Sequence, residues 1–491
     1  MAERKAVVGT VSMAVANLLK LGLQLLYFPV LARLLEPESF GIVALAAPFI
    51  LFVGILSDAG LGNALIRVDS PSRELESTVF WFSILLGLIL AAFVGLAAFP
   101  IGHLLAQPKL APIMIAYSGI LPVAAAVSVA NARISRARRF SLFAVGDVAS
   151  TVISCAVAIG AAFAGWGPWS IIVQQFAFWA VKALWLIPKS GFQPKLFFRP
   201  SLTLPHLGYG LHAAGSGIFD FITKNAPTLI IGSSLGVTVL GYYSIAMQFI
   251  RVPDMVISGP IYLPVFTAVA QYDRSTNPTP IVMRGLRGLV MILAPIFCGL
   301  AMTAEPVVHL LFGAKWADTA PILALLTPCG FFLCIYSFAG AIFMGIGRSD
   351  YQLKLMMLMC VLLTAGTLIG AGFGGPGVAL GLSVGAAIAV PFYLETLAKE
   401  LHISKSAIGR EIAPPLIATG MMAAVLSLLT TMESSEIWVQ LATMISVGVL
   451  TYLVVLAAIS WRRLEEDFQW LFSSKIDAAE VPADGAKPES A

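Results

Sequence analysis

Residues 78–102, TVFWFSILLGLILAAFVGLAAFPIG, carry no charged side chain and are long enough to cross a bilayer as one helix. A hydrocarbon core of roughly 30 Å takes about 20 apolar residues of helix. Backbone in lipid has to satisfy its own hydrogen bonds, so a run of this length in a chain without barrel-like alternation reads as a spanning helix. Working outward, comparable runs lie near 8–33, 40–66, 110–131, 142–163, 168–187, 206–232, 238–268, 288–309, 319–344, 352–371, 376–396, 412–431 and 437–460. The reading is an all-α polytopic membrane protein with about 14 transmembrane helices.

Composition agrees. Of 491 residues 58% are hydrophobic and 11% charged, whereas about a quarter of a soluble domain is charged. The net charge of +4 has meaning through its placement. Between spans, 23 Lys and Arg fall on one side and three (Arg33, Lys109, Lys315) on the other, with Lys20, Lys182, Lys224 and Arg251 inside spans. The positive-inside rule then puts both termini in the cytoplasm. Nucleic acid is not an expected partner. The five cysteines lie inside apolar runs without C-x-x-C spacing, so neither a disulfide framework nor a zinc site is expected. The first apolar run is too long for a signal-peptide core and reads as a retained helix.

Shifted by 200 positions, LARLLEPESFGIVALA from Leu31 resembles IGSSLGVTVLGYYSIA from Ile231, with Leu35, Gly41 and Ala46 recurring as Leu235, Gly241 and Ala246. The repeat marks a six-helix lobe at 1–187, a linker at 188–205 and a second six-helix lobe at 206–398. An extra helix pair follows at 399–460 and a disordered cytoplasmic tail at 461–491. Six spans per lobe make the repeats parallel, with a substrate site between them near the midplane.

Charges at bilayer depth are costly and usually face a cavity or a partner. On the first span Asn17, Lys20, Gln24 and Tyr27 share one helical face; on the seventh, His212, Ser216, Asp220 and Lys224 do; on the eighth, Ser244, Gln248, Arg251 and Ser258 do, with Asp254 nearby. They read as walls of a hydrated, partly cationic cavity that prefers an anionic guest, with Lys20, Gln24, Lys224, Gln248 and Arg251 as substrate-binding residues. Asp220 and Lys224 equally fit a structural i,i+4 pair, and the lesser alternative for Lys20 is snorkelling or capping a buried carbonyl. Asp58, Asp220 and Asp254 are candidates for a coupling proton or sodium ion, the only small ligand this reading admits. Lys182 and Asp147 read as interfacial. Arg133, Arg136, Arg138 and Arg139, in ARISRARRF, stand where an anionic head group would first meet the protein, although topology explains a basic loop there too. Pro253, Pro260 and Pro264 suit a span that bends, or an ordinary packing kink.

No phosphate-binding G-x-x-x-x-G-K-[ST] loop occurs. Gly370, Gly372 and Gly375 match G-x-G-x-x-G only at a span end, without the strand such a site needs. Exterior loops leave no room for a catalytic domain, so the protein is not expected to be an enzyme.

Five segments in register, LARLLEPESFGIVALA, DAGLGNALIR from Asp58, ARISRARRF, GWGPWSIIVQQ from Gly165 and FGAKWADTAPILALL from Phe312, resemble the polysaccharide transport (Wzx-like) family of flippases. That family lies within the multidrug, oligosaccharidyl-lipid and polysaccharide exporter superfamily, and its colanic-acid and succinoglycan-type branch is the most similar. The resemblance implies translocation of undecaprenyl-pyrophosphate-linked oligosaccharides for exopolysaccharide or lipopolysaccharide synthesis by alternating access. It also implies membrane lipids, a polysaccharide polymerase and chain-length machinery as partners. A cation-coupled multidrug exporter of the same architecture and a membrane-embedded glycan polymerase or ligase are the alternatives. The cations at depth argue against the first, and the short loops against the second.

Overall fold

A computed structural model describes residues 2–58, 65, 71–199, 221–271, 278–429 and 436–477. Among the described residues there are helices and no strands. The long helices are α1 (Ala2–Leu34), α2 (Pro37–Asp58), α3 (Arg73–Leu104), α4 (Leu110–Arg136), α5 (Phe140–Phe163) and α6 (Trp169–Lys189). They continue as α7 (221–234), α8 (Val237–Pro253), α9 (Thr279–Met302), α10 (Thr319–Gly345), α11 (Ser349–Ala371), α12 (Gly374–Glu400), α13 (Lys405–Leu429) and α14 (Ile437–Asp477). Twelve helices among the described residues are long and apolar enough to cross a membrane.

α7 and α8 are the two long helices outside that twelve. Half of the span expected at 206–232 lies outside the described residues. The span expected at 238–268 is interrupted, because Pro253 closes α8 after 17 residues and a π turn, Asp254–Ser258, precedes a further helix, Gly259–Gln271. Proline withdraws a backbone donor, and the wider π turn absorbs the lost register.

Other boundaries shift because charged residues turn out to be helical. α9 starts at Thr279 and α13 at Lys405, so Arg284, Arg287 and Arg410 are helical residues, not loop cations. Arg287 Nη1 lies 2.8 Å from Glu411 Oε2, each side chain less than a quarter exposed. α9 stops at Met302, and a short helix, Ala304–Phe312, completes the run expected as one span at 288–309. α14 continues past a break at Ser460 to Asp477, so the first part of the region read as a disordered tail is helical.

Packing follows membrane rules. α3 buries Ser83, Gly87, Ala98 and Gly102 while Leu88, Phe93, Leu96 and Phe99 face outward. Small residues inside let backbones approach, and lipid accepts the large ones. At the N-terminus of α3, Ser72 Oγ accepts from Leu75 N at 3.1 Å, with Glu74 and Glu76 in the first turn favouring the helix dipole.

The repeat is visible in the backbone. Gly41 of α2 sits so close to α8 that an added Cβ would lie 1.6 Å from Val237 O, and a Cβ on Gly241 would lie 2.0 Å from Pro37 O. Each glycine therefore packs on the carbonyl four residues before the other, which is the exchange a two-fold relation requires. The turns before them match as well, Leu35 N donating to Leu31 O at 2.9 Å and Leu235 N to Ile231 O at 2.8 Å. Further along, PIGHLL from Pro100 recurs as PVVHLL from Pro306, Leu110-Ala-Pro-Ile as Thr319-Ala-Pro-Ile, and Ala164-Gly-Trp-Gly as Ala371-Gly-Phe-Gly. Left-handed backbone recurs at Ala106 and Gly313, Arg138 and Gly347, Gly167 and Gly374, and Gly191 and His402.

By contact the chain forms two compact units that differ from the linear lobes. The first comprises Met1–Val252, Val307–Cys329 and Leu353–Ala389. Its Trp316 is fully buried, donates to Ala32 O at 2.9 Å and packs on Phe40, Tyr242 and Phe312. The second comprises Pro253–Pro306, Gly330–Gln352 and Val390–Ala491. There Ala418, Met422, Leu426, Met444, Tyr452 and Leu456 form a core, and Tyr452 Oη donates to Met291 O at 2.6 Å.

Gly41→Ala and Gly241→Ala should each destabilise the protein by about 1–3 kcal/mol through overpacking, whereas Gly160→Ala, with nothing within 4 Å of its added Cβ, should not. Thermal unfolding of the detergent-purified variants measures the difference.

Candidate functional site

Three helices of the first unit bring together three charges that lie far apart in sequence. Lys20 Nζ of α1 donates to Asp147 Oδ2 of α5 at 3.0 Å, and Lys182 Nζ of α6 lies 2.7 Å from Asp147 Oδ1. Their side chains are 14–21% exposed. Counted from Leu34, Phe163 and Trp169, the three residues lie 13–16 positions into their helices, about 20–24 Å at ~1.5 Å per residue. The agreement of three independent counts places one cluster at one depth.

Lys20 therefore ends on a carboxylate and not on a carbonyl, while Asp147 and Lys182 each lie seven residues, about 10 Å at ~1.5 Å per residue, from the nearer ends of their helices at Phe140 and Lys189. Asp147 was legible as a charged residue in an apolar run. Its two partners were not, because no periodicity links residues 127 and 35 positions away on other helices.

The polar face of α1 divides between two environments. Tyr27 is buried toward α5, whereas Gln24, one turn beyond Lys20, lines a narrow cleft of about 40 Å³ with Leu21 and Phe28. Across that cleft stand Gln248, Phe249 and Val252 of α8. Gln24 and Gln248, predicted from separate stripes, therefore line one cleft. Arg251 lies three residues beyond Gln248 and is exposed, and none of the described residues forms an ion pair with it. In the second unit Asp254, on the π turn, accepts from Cys334 Sγ at 3.5 Å. Lys224 is exposed on α7. Asp220, His212 and Ser216 lie outside the described residues, as does the side chain of Asp58.

The four arginines of ARISRARRF do not act as one patch. Arg133 and Arg136 belong to α4, and Arg133 Nε lies 3.4 Å from Glu76 Oε1, a carboxylate buried in the first turn of α3. Arg136 Nη1 reaches Leu65 O at 3.5 Å, and Arg139 Nη1 donates to Lys189 O at 3.4 Å. Arg138, in a left-handed turn with φ 52°, is exposed. A buried acid explains Arg133 structurally, leaving Arg138 as the arginine that projects freely. The described part of the linker also packs down: Phe192 is buried against Phe80, and Trp81 Nε1 donates to Lys195 O at 2.8 Å.

Chemically, the two amides of Gln24 and Gln248, set in an otherwise apolar cleft, lie one turn of α1 from a cluster of two ammoniums and one carboxylate, and together these groups offer hydrogen-bond donors to an anion. Among the described residues no group of three His, Cys, Asp or Glu could hold a metal ion.

Known proteins resemble this chain at two levels. A family model described as "Polysaccharide biosynthesis protein" matches residues 30–321. The succinoglycan biosynthesis transport protein ExoT of Rhizobium meliloti is 30% identical over 64% of this chain, and the chain spans 65% of ExoT, just under two thirds of its length. The lipopolysaccharide biosynthesis protein WzxC of Escherichia coli is 25% identical over 78% of each chain. The teichuronic acid biosynthesis protein TuaB of Bacillus subtilis is 23% identical over 88% of this chain and 91% of its own. Among solved structures, the lipid II flippase MurJ in an inward closed conformation superposes with a TM-score of 0.73, at 16% identity, over 93% of this chain and all of MurJ. An inward-facing multidrug resistance MATE transporter gives 0.58 at 18% identity, over 79% of this chain and 96% of its own. These two share the fold. The family match covers more than half of the sequence, and the chain belongs to the polysaccharide biosynthesis protein family.

Proposed function

We propose that the protein is an inner-membrane flippase that moves undecaprenyl-pyrophosphate-linked oligosaccharide repeat units toward the outer leaflet for exopolysaccharide or lipopolysaccharide synthesis. The observation that carries this reading is the excess of positive charge held at membrane depth, Lys20 and Lys182 against the single carboxylate of Asp147. A charge costs about 2.5–3.5 kcal/mol at the centre of a spanning helix on insertion scales and less toward its ends, and Asp147 and Lys182 lie about 10 Å inside the nearer ends of α5 and α6. One lysine and the aspartate can offset each other, and the second lysine calls for an anion from outside. A diphosphate linking a lipid to a sugar supplies one. Family membership and the names of the relatives support the same substrate class.

Moving a bulky polar head group through bare hydrocarbon is prohibitive, so the cargo needs a wet path while its lipid tail stays in the bilayer. Gln24, Gln248 and Arg251 would line that path, with Lys224 contributing from α7. Arg138 would meet the cargo at the cytoplasmic mouth. The path would open alternately to each side, with Asp254, Asp58 or Asp220 carrying a coupling proton or sodium ion. A polymerase and chain-length machinery would take the flipped units. The protein would act as a transporter, without bond-making chemistry of its own. A multidrug exporter of this fold is the second reading. Cationic drugs favour an acidic cavity, and the Lys20–Asp147–Lys182 cluster is of the opposite sign.

Arg251→Ala should abolish polymer export while leaving protein level and membrane insertion unchanged, because no described ion pair is lost with it. Export equal to wild type would remove Arg251 from the path. For topology, alkaline phosphatase fused after Lys109 or Lys315 should be active, and fused after Asp477 inactive; the reverse pattern would invert the proposed orientation.

A further inference from the structure

Two ammonium groups converge on one carboxylate inside the bundle, and a purely structural pair needs only one of them. Burying an ion pair is at best balanced by its attraction, and an additional unpaired charge worsens the balance. The second lysine therefore requires an explanation beyond stability.

The two lysines are held differently. Lys182 Nζ sits 5.6 Å and 5.5 Å from the ring centroids of Phe178 and Trp179 as well as on Asp147. Cation–π contacts of this kind offset part of an ammonium's charge and hold it beside Asp147. Among the described residues Lys20 is paired with Asp147 alone; it is the more exposed of the two at 21% against 14%, and precedes by one turn the Gln24 that lines the cleft. Residues four apart share a helix face. Lys20 is therefore the member that can turn from the carboxylate to the cleft, and its neighbour Leu21 already lines that cleft.

Resting on the transport reading above, we infer that Asp147 is an internal stand-in for the cargo's diphosphate, and that Lys182 lets Lys20 change partners. With Lys20 on Asp147 the cluster carries a net +1. When a diphosphate oxygen reaches the cleft, Lys20 moves to it and leaves Asp147–Lys182 as a closed, neutral pair. On release Lys20 returns. Without Lys182, departure of Lys20 would strand a bare buried carboxylate, which is strongly unfavourable. Lys20 is then a binding residue and Asp147 and Lys182 are positioning residues.

The test uses the full chain in two assays. One is flipping of a labelled polyprenyl-diphosphate oligosaccharide in proteoliposomes; the other is thermal stabilisation of the purified protein by inorganic diphosphate. Lys182→Gln and Lys20→Gln each leave a one-to-one pair or a paired remainder, so both should fold. Lys182→Gln should raise the concentration for half-maximal stabilisation and half-maximal flipping at least ten-fold with the maximal rate retained. Lys20→Gln should lose both responses. Asp147→Asn combined with Lys182→Gln frees Lys20 from its competitor and should return the half-maximal concentrations to within about three-fold of wild type.

A wild-type response from Lys182→Gln would overturn the inference. So would a folded double variant that binds diphosphate no better than Lys182→Gln alone. If the double variant does not fold, the split between half-maximal concentration and maximal rate in Lys182→Gln decides. Equal saturation of the wild-type protein by phosphatidylglycerol vesicles would assign the cluster to ordinary anionic lipid and also overturn it. Diphosphate stabilisation with the expected pattern, but no flipping by the wild type, would count against the transport reading and leave the partner exchange supported.

Discussion

Where Gly41 lies on the carbonyl of Val237 and Gly241 on that of Pro37, two helices touch backbone to backbone with no side chain between them. In lipid the apolar side chains gain nothing by leaving one hydrocarbon environment for another, so close contact of this kind, not hydrophobic exclusion, sets which helices associate. The same device joins α11 to α12. An added Cβ on Gly366 would lie 2.2 Å from Gly381 O, and one on Gly381 2.0 Å from Gly366 O. Reciprocal contacts hold each pair in one register, and the register decides which polar side chains share a face.

The fold class was legible because hydrocarbon imposes a length and a composition that few other structures need. Residues 78–102 could hardly be read otherwise. Boundaries were less legible where charges are helical: Arg287 reads as a loop cation until Glu411 supplies its partner, and Arg133 until Glu76 does. Of the site, Gln24 and Gln248 could be found because each follows a helical period, and they do share a cleft. The Asp147 cluster could not, because a tertiary pairing leaves no trace in periodicity. The repeat was underestimated for a similar reason. A fixed offset of 200 residues misses a register that drifts as loops differ in length, so PIGHLL and PVVHLL fall out of line although each precedes a left-handed turn.

Repetition also clarifies which charges belong to architecture. Arg33 Nε donates to Leu311 O at 2.9 Å and its Nη2 to Leu310 O, so it caps the C-terminal carbonyls of the short helix Ala304–Phe312, where a cation meets the negative end of the helix dipole. Lys315 donates to Arg33 O at 3.0 Å, and Lys109 pairs with Glu38 at 2.9 Å. The three cations found on the sparsely charged side of the topology count are thus all engaged at helix ends. Their presence there needs no cargo.

Depth separates these from the Lys20 cluster. At a helix end water is close, and an exposed pair such as Lys109–Glu38 is worth at most about 1 kcal/mol, so its charge balance matters little to the fold. About 10 Å in from the nearer helix ends, by ~1.5 Å per residue, the same imbalance costs more because screening is weaker and the lower-dielectric surroundings strengthen an unpaired charge. A cationic side chain can be kept there only if carboxylate, aromatic ring or visiting anion accounts for it. Asp147 accounts for one lysine and the rings of Phe178 and Trp179 partly for the other. What is left over is a net positive charge, partly offset by the rings, one turn of α1 from a cleft that holds Gln24 and Gln248, and a bilayer-embedded chain tolerates that remainder most readily when negative charge visits the same place.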